Sequence, residues 1–333
     1  MESREPTKIY RDSEADLQVL ADKPIAIIGY GNQGRSQALN LRDSGLQVIV
    51  GGISDKSYER AQQDGFEAMS IAEAARRGEV LCILLPDEIQ KPIFEQEIRP
   101  HLRPGQALDF AHGYSIHYGL LVPPPEVDVF LVAPRMIGAA VRELFEKGGG
   151  APACVGVYQD ATGTAWAKAL AFAKGIGATR GGAIKSSFAE ETELDHFTEQ
   201  IVWPIIFRVF IESFDILVAE GYSPEVTALE LWASGEPGEV MLKMAQMGLF
   251  KQMTLHSRTS QYGTLTRTPT LLPAEVRDWI KAGLKTIQQG DFSREWEAEQ
   301  AAGYPNFDRL RKAVLEHPIN AVEERIKSFT SEE

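Results

Sequence analysis

The chain has 333 residues, 44% of them apolar and 24% charged, with a net charge of −13. That length allows two domains, and the composition is that of an ordinary soluble globular protein. The acidity argues against a nucleic-acid binder, which needs a basic stripe against phosphates. The two cysteines, Cys82 and Cys154, sit in apolar runs and read as buried thiols, which fits a reducing cytoplasm. Residues 1–20 are polar and charged, without the apolar stretch of a signal peptide. No segment reaches the ~20 apolar residues of a membrane span.

The first half alternates strand-like and helix-like segments. Residues 24–29 are a short β-branched run, and residues 33–44 follow with helical spacing, stopping at Gly45. Residues 46–50 read as strand, 57–64 as helix ending before Gly65, 71–77 as helix, 80–85 as strand and 89–98 as helix. Residues 106–110, 127–133 and 154–158 complete the strands. Strands apolar on both faces and separated by helices predict a parallel, doubly wound α/β sheet of Rossmann type.

The pattern changes near residue 181. No strand is expected beyond residue 188, and residues 192–219, 224–232, 237–247, 273–289 and 308–316 carry helical spacing. The expected division is residues 1–181 for a dinucleotide domain and 182–328 for an all-α domain. Residues 198–219 are apolar around much of the circumference, which predicts a helix buried in a core or an interface. The tail after Glu316 is polar and is expected to fray, residues 328–333 above all.

Gly29-Tyr30-Gly31-Asn32-Gln33-Gly34 follows the first apolar strand and opens a helix. Gly29 permits the tight turn, Gly31 lets the backbone approach a pyrophosphate, and Gly34 lets helix and strand pack closely; the helix N-terminus favours phosphate. This predicts a nicotinamide dinucleotide and an oxidoreductase. The segment after the second strand carries opposing signals. Ser54, Lys56 and Ser57 suit a 2′-phosphate, whereas Asp55 would repel one, so NADPH and NADH both stay open. Further on, Asp195 and Glu199 stand four apart on one helix face. Two carboxylates so placed suit Mg²⁺, but on spacing alone a solvated acidic first turn is the more ordinary reading.

With these residues the sequence resembles the ketol-acid reductoisomerase family in its short form. The resemblance runs through Ile28-Gly29-Tyr30-Gly31-Asn32-Gln33-Gly34, Leu84-Leu85-Pro86-Asp87-Glu88, Phe110-Ala111-His112-Gly113-Tyr114, Gly148-Gly149-Gly150-Ala151-Pro152, Glu190-Glu191-Thr192-Glu193-Leu194-Asp195 and Ala219-Glu220-Gly221-Tyr222-Ser223-Pro224-Glu225. It implies a Rossmann domain followed by a knotted helical domain, and an intertwined homodimer, or a higher oligomer, acting on a small carbonyl substrate. The implied reaction is Mg²⁺-assisted alkyl migration in an acetohydroxy acid, then reduction by NADPH or NADH. It also implies Asp195, Glu199 and Glu230 as metal ligands, Ser257 as a substrate contact and His112 near the nicotinamide. Pro86 and Gly138 are expected to border the cofactor.

Two positions depart from the family pattern. A family lysine is replaced by Arg135, which cannot shift its pKa to share a proton. The fourth metal acid, expected four residues after Glu230, is Ser234. A two-residue insertion with Gly235, Pro237 and Gly238 leaves Glu236 as its candidate substitute, at i+6 and off the face of Glu230 in a regular helix. A family arginine at the start of the acidic motif is Ala189 here. Both departures touch the isomerisation machinery, so a reductase of a keto acid, ketone or imine without isomerase activity is the alternative. A non-catalytic cofactor binder is a third reading.

Overall fold

The computed structural model describes residues 5–330, and the expectations for residues 1–4 and 331–333 lie outside these. The described chain divides into two compact units, one ending at Leu194 and the other beginning at Asp195.

The first unit is built on a nine-stranded sheet: β1 (Ile9–Tyr10), β2 (Ile25–Ile28), β3 (Val48–Gly51), β4 (Glu67–Met69), β5 (Val80–Ile83), β6 (Ala107–Phe110), β7 (Asp128–Pro134), β8 (Ala153–Gln159) and β9 (Ala183–Lys185). Their spatial order is β1-β9-β8-β7-β6-β5-β2-β3-β4. The run from β4 to β7 is parallel, as expected of a Rossmann sheet. The far edge is not. β8 runs antiparallel to β7, and β1 antiparallel to β9, so the sheet is mixed.

Alternation in β2 shows how the sequence makes two cores. Ile25 and Ile27 point to one face, where they join Leu41, Val50, Phe130 and Phe172. Ala26 and Ile28 point to the other, against Ile71, Leu81, Phe94 and Leu108. All four β2 residues are buried, which is why the strand reads as an unbroken apolar run. The chain reverses between β2 and β5, the switch point at which open α/β sheets bind ligands.

A polar pair, Cys82 and Asp109, lies inside this core. The Cys82 thiol donates to Asp109 Oδ2 across β5 and β6 at 2.9 Å, and the Val132 N–H donates to Oδ1 at 3.1 Å. Burial pushes the Asp109 carboxyl up to about 8, so it is neutral at pH 7. A carboxyl raised in the folded state favours folding most below its unfolded value near ~4, and that advantage is lost as pH rises through 8. Asp109→Asn should therefore flatten the alkaline loss of stability, by a few kcal/mol at pH 9. Urea unfolding at pH 6 and 9 measures this, and an undiminished alkaline loss in the variant would refute it.

The second unit is helical throughout its described residues, with Trp203–Ala219, Glu236–Met247, Arg258–Arg267, Val276–Gln288, Asp291–Ala301, Pro305–Leu315 and Pro318–Thr330 as its longer helices. The last of these corrects the expectation of a fraying tail. Val322 and Ile326 are buried with Phe214 and Ala228, and the Trp232 indole donates to Glu323 at 2.8 Å. The apolar helix Trp203–Ala219 is less covered than its sequence suggests. Only Phe214 is fully buried, whereas Phe207, Val209 and Ile216 are more than half exposed. No helix among the described residues is long and apolar enough to cross a membrane.

Candidate functional site

The glycine turn leaves β2 and enters the helix Asn32–Asp43. Gly29 has φ +96°, and a Cβ there would come within 2.8 Å of Leu84 O, so only glycine fits. A Cβ on Gly34 would run into Gly29 O, which is the close helix–strand approach that the motif requires. At Gly31, by contrast, a Cβ would meet nothing within 4 Å. The open side of the turn, where a pyrophosphate would pass, is therefore at Gly31, the N-cap of the helix.

Beside this turn lies a cavity of about 640 Å³. Tyr30, Gly31 and Asn32 line it, with Arg35 and Ser36 from the same helix, Lys56, Ser57 and Arg60 from the helix Lys56–Gln63, and Ala139 and Arg142 from the helix Gly138–Glu146. Asp55, whose charge opposed a phosphate in the sequence, is the N-cap of its helix. Its Oδ1 accepts from the Ser57 and Tyr58 N–H groups at 2.9 and 3.0 Å and from the Ser57 hydroxyl at 2.6 Å. The Ser57 hydroxyl and the two amides hold its carboxyl below the usual range. Ser54 is exposed and outside the lining.

The four cations of the cavity are unequal. Arg142 is already committed, donating to Asn40 and Asp43 and pairing with Glu146. Arg35 is held by Asp64. Lys56 and Arg60 form no ion pair among the described residues. Arg35, Arg60 and Arg142 escaped the sequence reading because three helices bring them together; the i,i+4 spacing of Lys56 and Arg60 was the available signal. The turn itself is braced by the segment that follows β7. Gln33 Nε2 donates to Met136 O at 2.9 Å, and a Cβ on Gly138 would strike Asn32 O, so Gly138 supports the turn rather than lining the cavity. Pro86 begins the helix Asp87–Ile93, just after the Leu84 and Leu85 contacts of Gly29.

A second cluster gathers on Glu191, a residue the sequence reading left among the solvated acids. Its side chain is wholly buried. Arg135 Nη2 donates to Oε1 at 2.6 Å, the Gly113 N–H donates to Oε2 at 2.8 Å, and His112 Nδ1 lies 3.2 Å from Oε2. Burial alone would raise this carboxyl; the hydrogen bond and charge of His112, then Arg135 and the Gly113 amide, outweigh it and hold it below the usual range. Tyr114 stacks on the His112 ring at 6.0 Å. Glu191 and Asp195 lie one turn apart on the helix Phe188–Phe197, a spacing visible in the sequence.

The remaining predicted acids lie in the second unit. Glu199 falls in a π-helical stretch, Thr198–Val202, and Glu230 in another, Leu229–Ala233. Such stretches are rare and recur at functional sites. The helix carrying Glu230 ends at Ser234, whose ψ of 168° is extended, and Glu236 is the first residue of the next helix. The expectation drawn from a regular helix at i+6 therefore does not apply. Ser257 is the N-cap of Arg258–Arg267 and accepts from the Ser260 N–H at 3.2 Å.

Known families place this combination. Residues 19–182 match the acetohydroxy acid isomeroreductase NADPH-binding domain, and residues 188–332 match the ketol-acid reductoisomerase C-terminal domain. The chain belongs to the ketol-acid reductoisomerase family. It is 46% identical over 317 residues to a ketol-acid reductoisomerase (NADP(+)) of Pyrobaculum neutrophilum, covering 95% of this chain and 96% of the relative. It is 45% identical to the putative ketol-acid reductoisomerase 3 of Saccharolobus solfataricus, over 94% of this chain and 95% of that one. An NADH-preferring ketol-acid reductoisomerase from an uncultured archaeon superposes with a TM-score of 0.92 at 35% identity, covering 98% of this chain and all of that one. Within the family, the oxidoreductase character and nicotinamide cofactor expected from the turn are borne out.

Proposed function

We propose that this ketol-acid reductoisomerase performs both steps of the family reaction, alkyl migration in an acetohydroxy acid and reduction to a dihydroxy acid, with NADPH as the preferred hydride donor. The observation that carries the two-step reading is the seat of Arg135. Arginine at a lysine position would suggest a lost step if it were loose. Instead its guanidinium is clamped on the buried Glu191 that also holds His112. The guanidinium is retained in a fixed seat, its charge paired with Glu191, and only the mobile proton of a lysine is gone.

Arg135 orients a substrate oxyanion or carboxylate from this fixed seat, with the proton supplied from elsewhere. Glu191 accepts from His112 Nδ1 and fixes the ring's orientation and tautomer. Ser257 contacts the substrate. Asp195, Glu199 and Glu230, with Glu236 as the fourth acid, form a donor set of hard carboxylate oxygens suited to Mg²⁺. Held by these carboxylates, Mg²⁺ would supply Lewis-acid polarisation of the substrate. The cations Lys56 and Arg60, with the exposed Asp55 engaged as a helix cap, favour a 2′-phosphate and hence NADPH.

Residues 1–181, joined in one compact unit by β9 and the helix start up to Leu194, form the dinucleotide domain in this reading, and the helical residues up to 328 supply the metal acids, Ser257 and the dimer contact. The exposed apolar residues Phe207, Val209 and Ile216 support a homodimer, and the free thiols support a cytoplasmic setting.

Initial rates with 2-acetolactate and with a 2-keto acid, at varied Mg²⁺ and with each cofactor, test this. Product from 2-acetolactate should require Mg²⁺ and show the lower KM with NADPH. Glu230→Gln and Glu236→Gln should each raise the Mg²⁺ requirement about tenfold or more. Turnover of the keto acid alone would establish the reductase without isomerase activity instead, and an unchanged Mg²⁺ requirement in Glu236→Gln would remove Glu236 from the set.

A further inference from the structure

The helix Lys56–Gln63, which carries Lys56, Ser57 and Arg60 along the cavity, ends in an unusual way. Its stop is a standard one. Gly65 has φ +86°, the Phe66 N–H donates to Ala61 O, and the Gly65 N–H donates to Gln62 O. The residue at the C-cap, however, is Asp64. An acid there opposes the helix dipole, which favours cations at that end. Its side chain is instead engaged with the dinucleotide turn and the helix that follows. Arg35 Nε donates to Oδ2 at 2.7 Å and Arg35 Nη2 to Oδ1 at 3.1 Å, a two-pronged pair. The Tyr30 hydroxyl donates to Oδ2 at 2.8 Å. Arg42 Nη1 holds the Asp64 carbonyl at 2.7 Å, and its guanidinium lies 4.9 Å over the Phe66 ring, to which Tyr30 also packs edge-on.

Two consequences follow from this arrangement. The helix bearing Lys56 and Arg60 is tied at its far end to the turn, so its cations keep a fixed station relative to Gly31. Arg35, although it lines the cavity, brings its charge already cancelled. We infer that Asp64 is a positioning and specificity-setting residue: it holds the phosphate-facing helix in place and, by neutralising Arg35, limits how strongly the cavity favours a phosphorylated over an unphosphorylated dinucleotide. This rests on the reading of the cavity as the seat of the 2′-phosphate.

The experiment is a double-mutant cycle on the full chain, with KM for NADPH and NADH measured at saturating substrate. Asp64→Asn keeps the shape and an acceptor for Tyr30 while removing the charge. It should lower KM for NADPH by roughly three- to tenfold, leave KM for NADH within about twofold, and lose the gain at high salt. In an Arg35→Gln background the same substitution should give a smaller gain, because there is no guanidinium to release. Equal shifts for the two cofactors, or an undiminished gain without Arg35, would overturn the inference. Arg35→Gln alone leaves Asp64 uncompensated, and should raise KM for NADPH without changing that for NADH. The cavity reading has its own control. Lys56→Gln with Arg60→Gln should raise KM for NADPH only, and failure there would remove that reading whatever Asp64 does.

Discussion

Glu191→Ala is expected to lower kcat by about a hundredfold or more and to destabilise the first unit by ~3–5 kcal/mol, the usual cost of removing one partner from a buried ion pair. The carboxylate is wholly buried and satisfies the Arg135 guanidinium, the Gly113 amide and the His112 ring together. Alanine would remove the acceptor that Arg135 Nη2 and the Gly113 N–H now share and let the imidazole turn. Glu191→Gln keeps the volume but presents an NH₂ where one donor now points, so it should lose activity with less loss of stability. The sign of the pH effect follows from the lowered carboxyl. Its stabilising contribution is present above the unfolded value near ~4.3 and is lost as pH falls through the folded value. Both variants should therefore show a shallower acid-side loss of stability than the parent. Steady-state kinetics with unfolding curves at pH 4 and 7 measure these effects, and a kcat within twofold of the parent would end the case for Glu191.

The glycine turn supplies the other large effect, as a contrast between neighbours. Gly34→Ala places a methyl group against Gly29 O, a backbone atom fixed by the sheet. Relief requires the helix to part from β2, so the variant should lose about 1–3 kcal/mol and bind dinucleotide at least a hundredfold more weakly. Gly31→Ala meets no protein atom, and φ of −80° suits alanine. It should melt with the parent yet bind cofactor about tenfold or more weakly, because the methyl group occupies the space where a pyrophosphate would pass. Calorimetry and fluorescence titration with NADPH separate the two outcomes. Unimpaired binding by Gly31→Ala would mean that the pyrophosphate lies elsewhere.

The contrast shows which parts of the molecule were legible in the sequence. The turn was legible because its chemistry is local: three glycines, a strand before and a helix after. The parallel strands β2, β3 and β5 were legible for a similar reason, since burial on both faces leaves no charged residue to interrupt them, and in β6 only the buried Asp109 breaks the run. Ile9–Tyr10, Glu67–Met69 and Ala183–Lys185 have two or three residues each, too few to show a period, and exist because a neighbouring strand offers hydrogen bonds. The helices Gly138–Glu146 and Ala165–Gly175 also went unread, though both pack on the first core or the turn.

The site divides in the same way. Asp195 and Glu199 were visible as a spaced pair. Glu191 was hidden among five acids in ten residues, because nothing local distinguishes a buried carboxylate from its solvated neighbours. Asp55 was misleading for a related reason. Its charge is evident in the sequence, but its capping of Ser57 and Tyr58 depends on the backbone. Ser234 was informative in both settings, as a residue that breaks a spacing in the sequence and a helix in the structure.

Arg135 also bears on the chemical durability of the protein. A lysine amine condenses with keto compounds to form an imine, the basis of Schiff-base catalysis elsewhere. A guanidinium, ionised at all working pH values, does not. Position 135 therefore offers no primary amine to a keto acid, and a chain handling such compounds has no covalent trap at the residue clamped on Glu191.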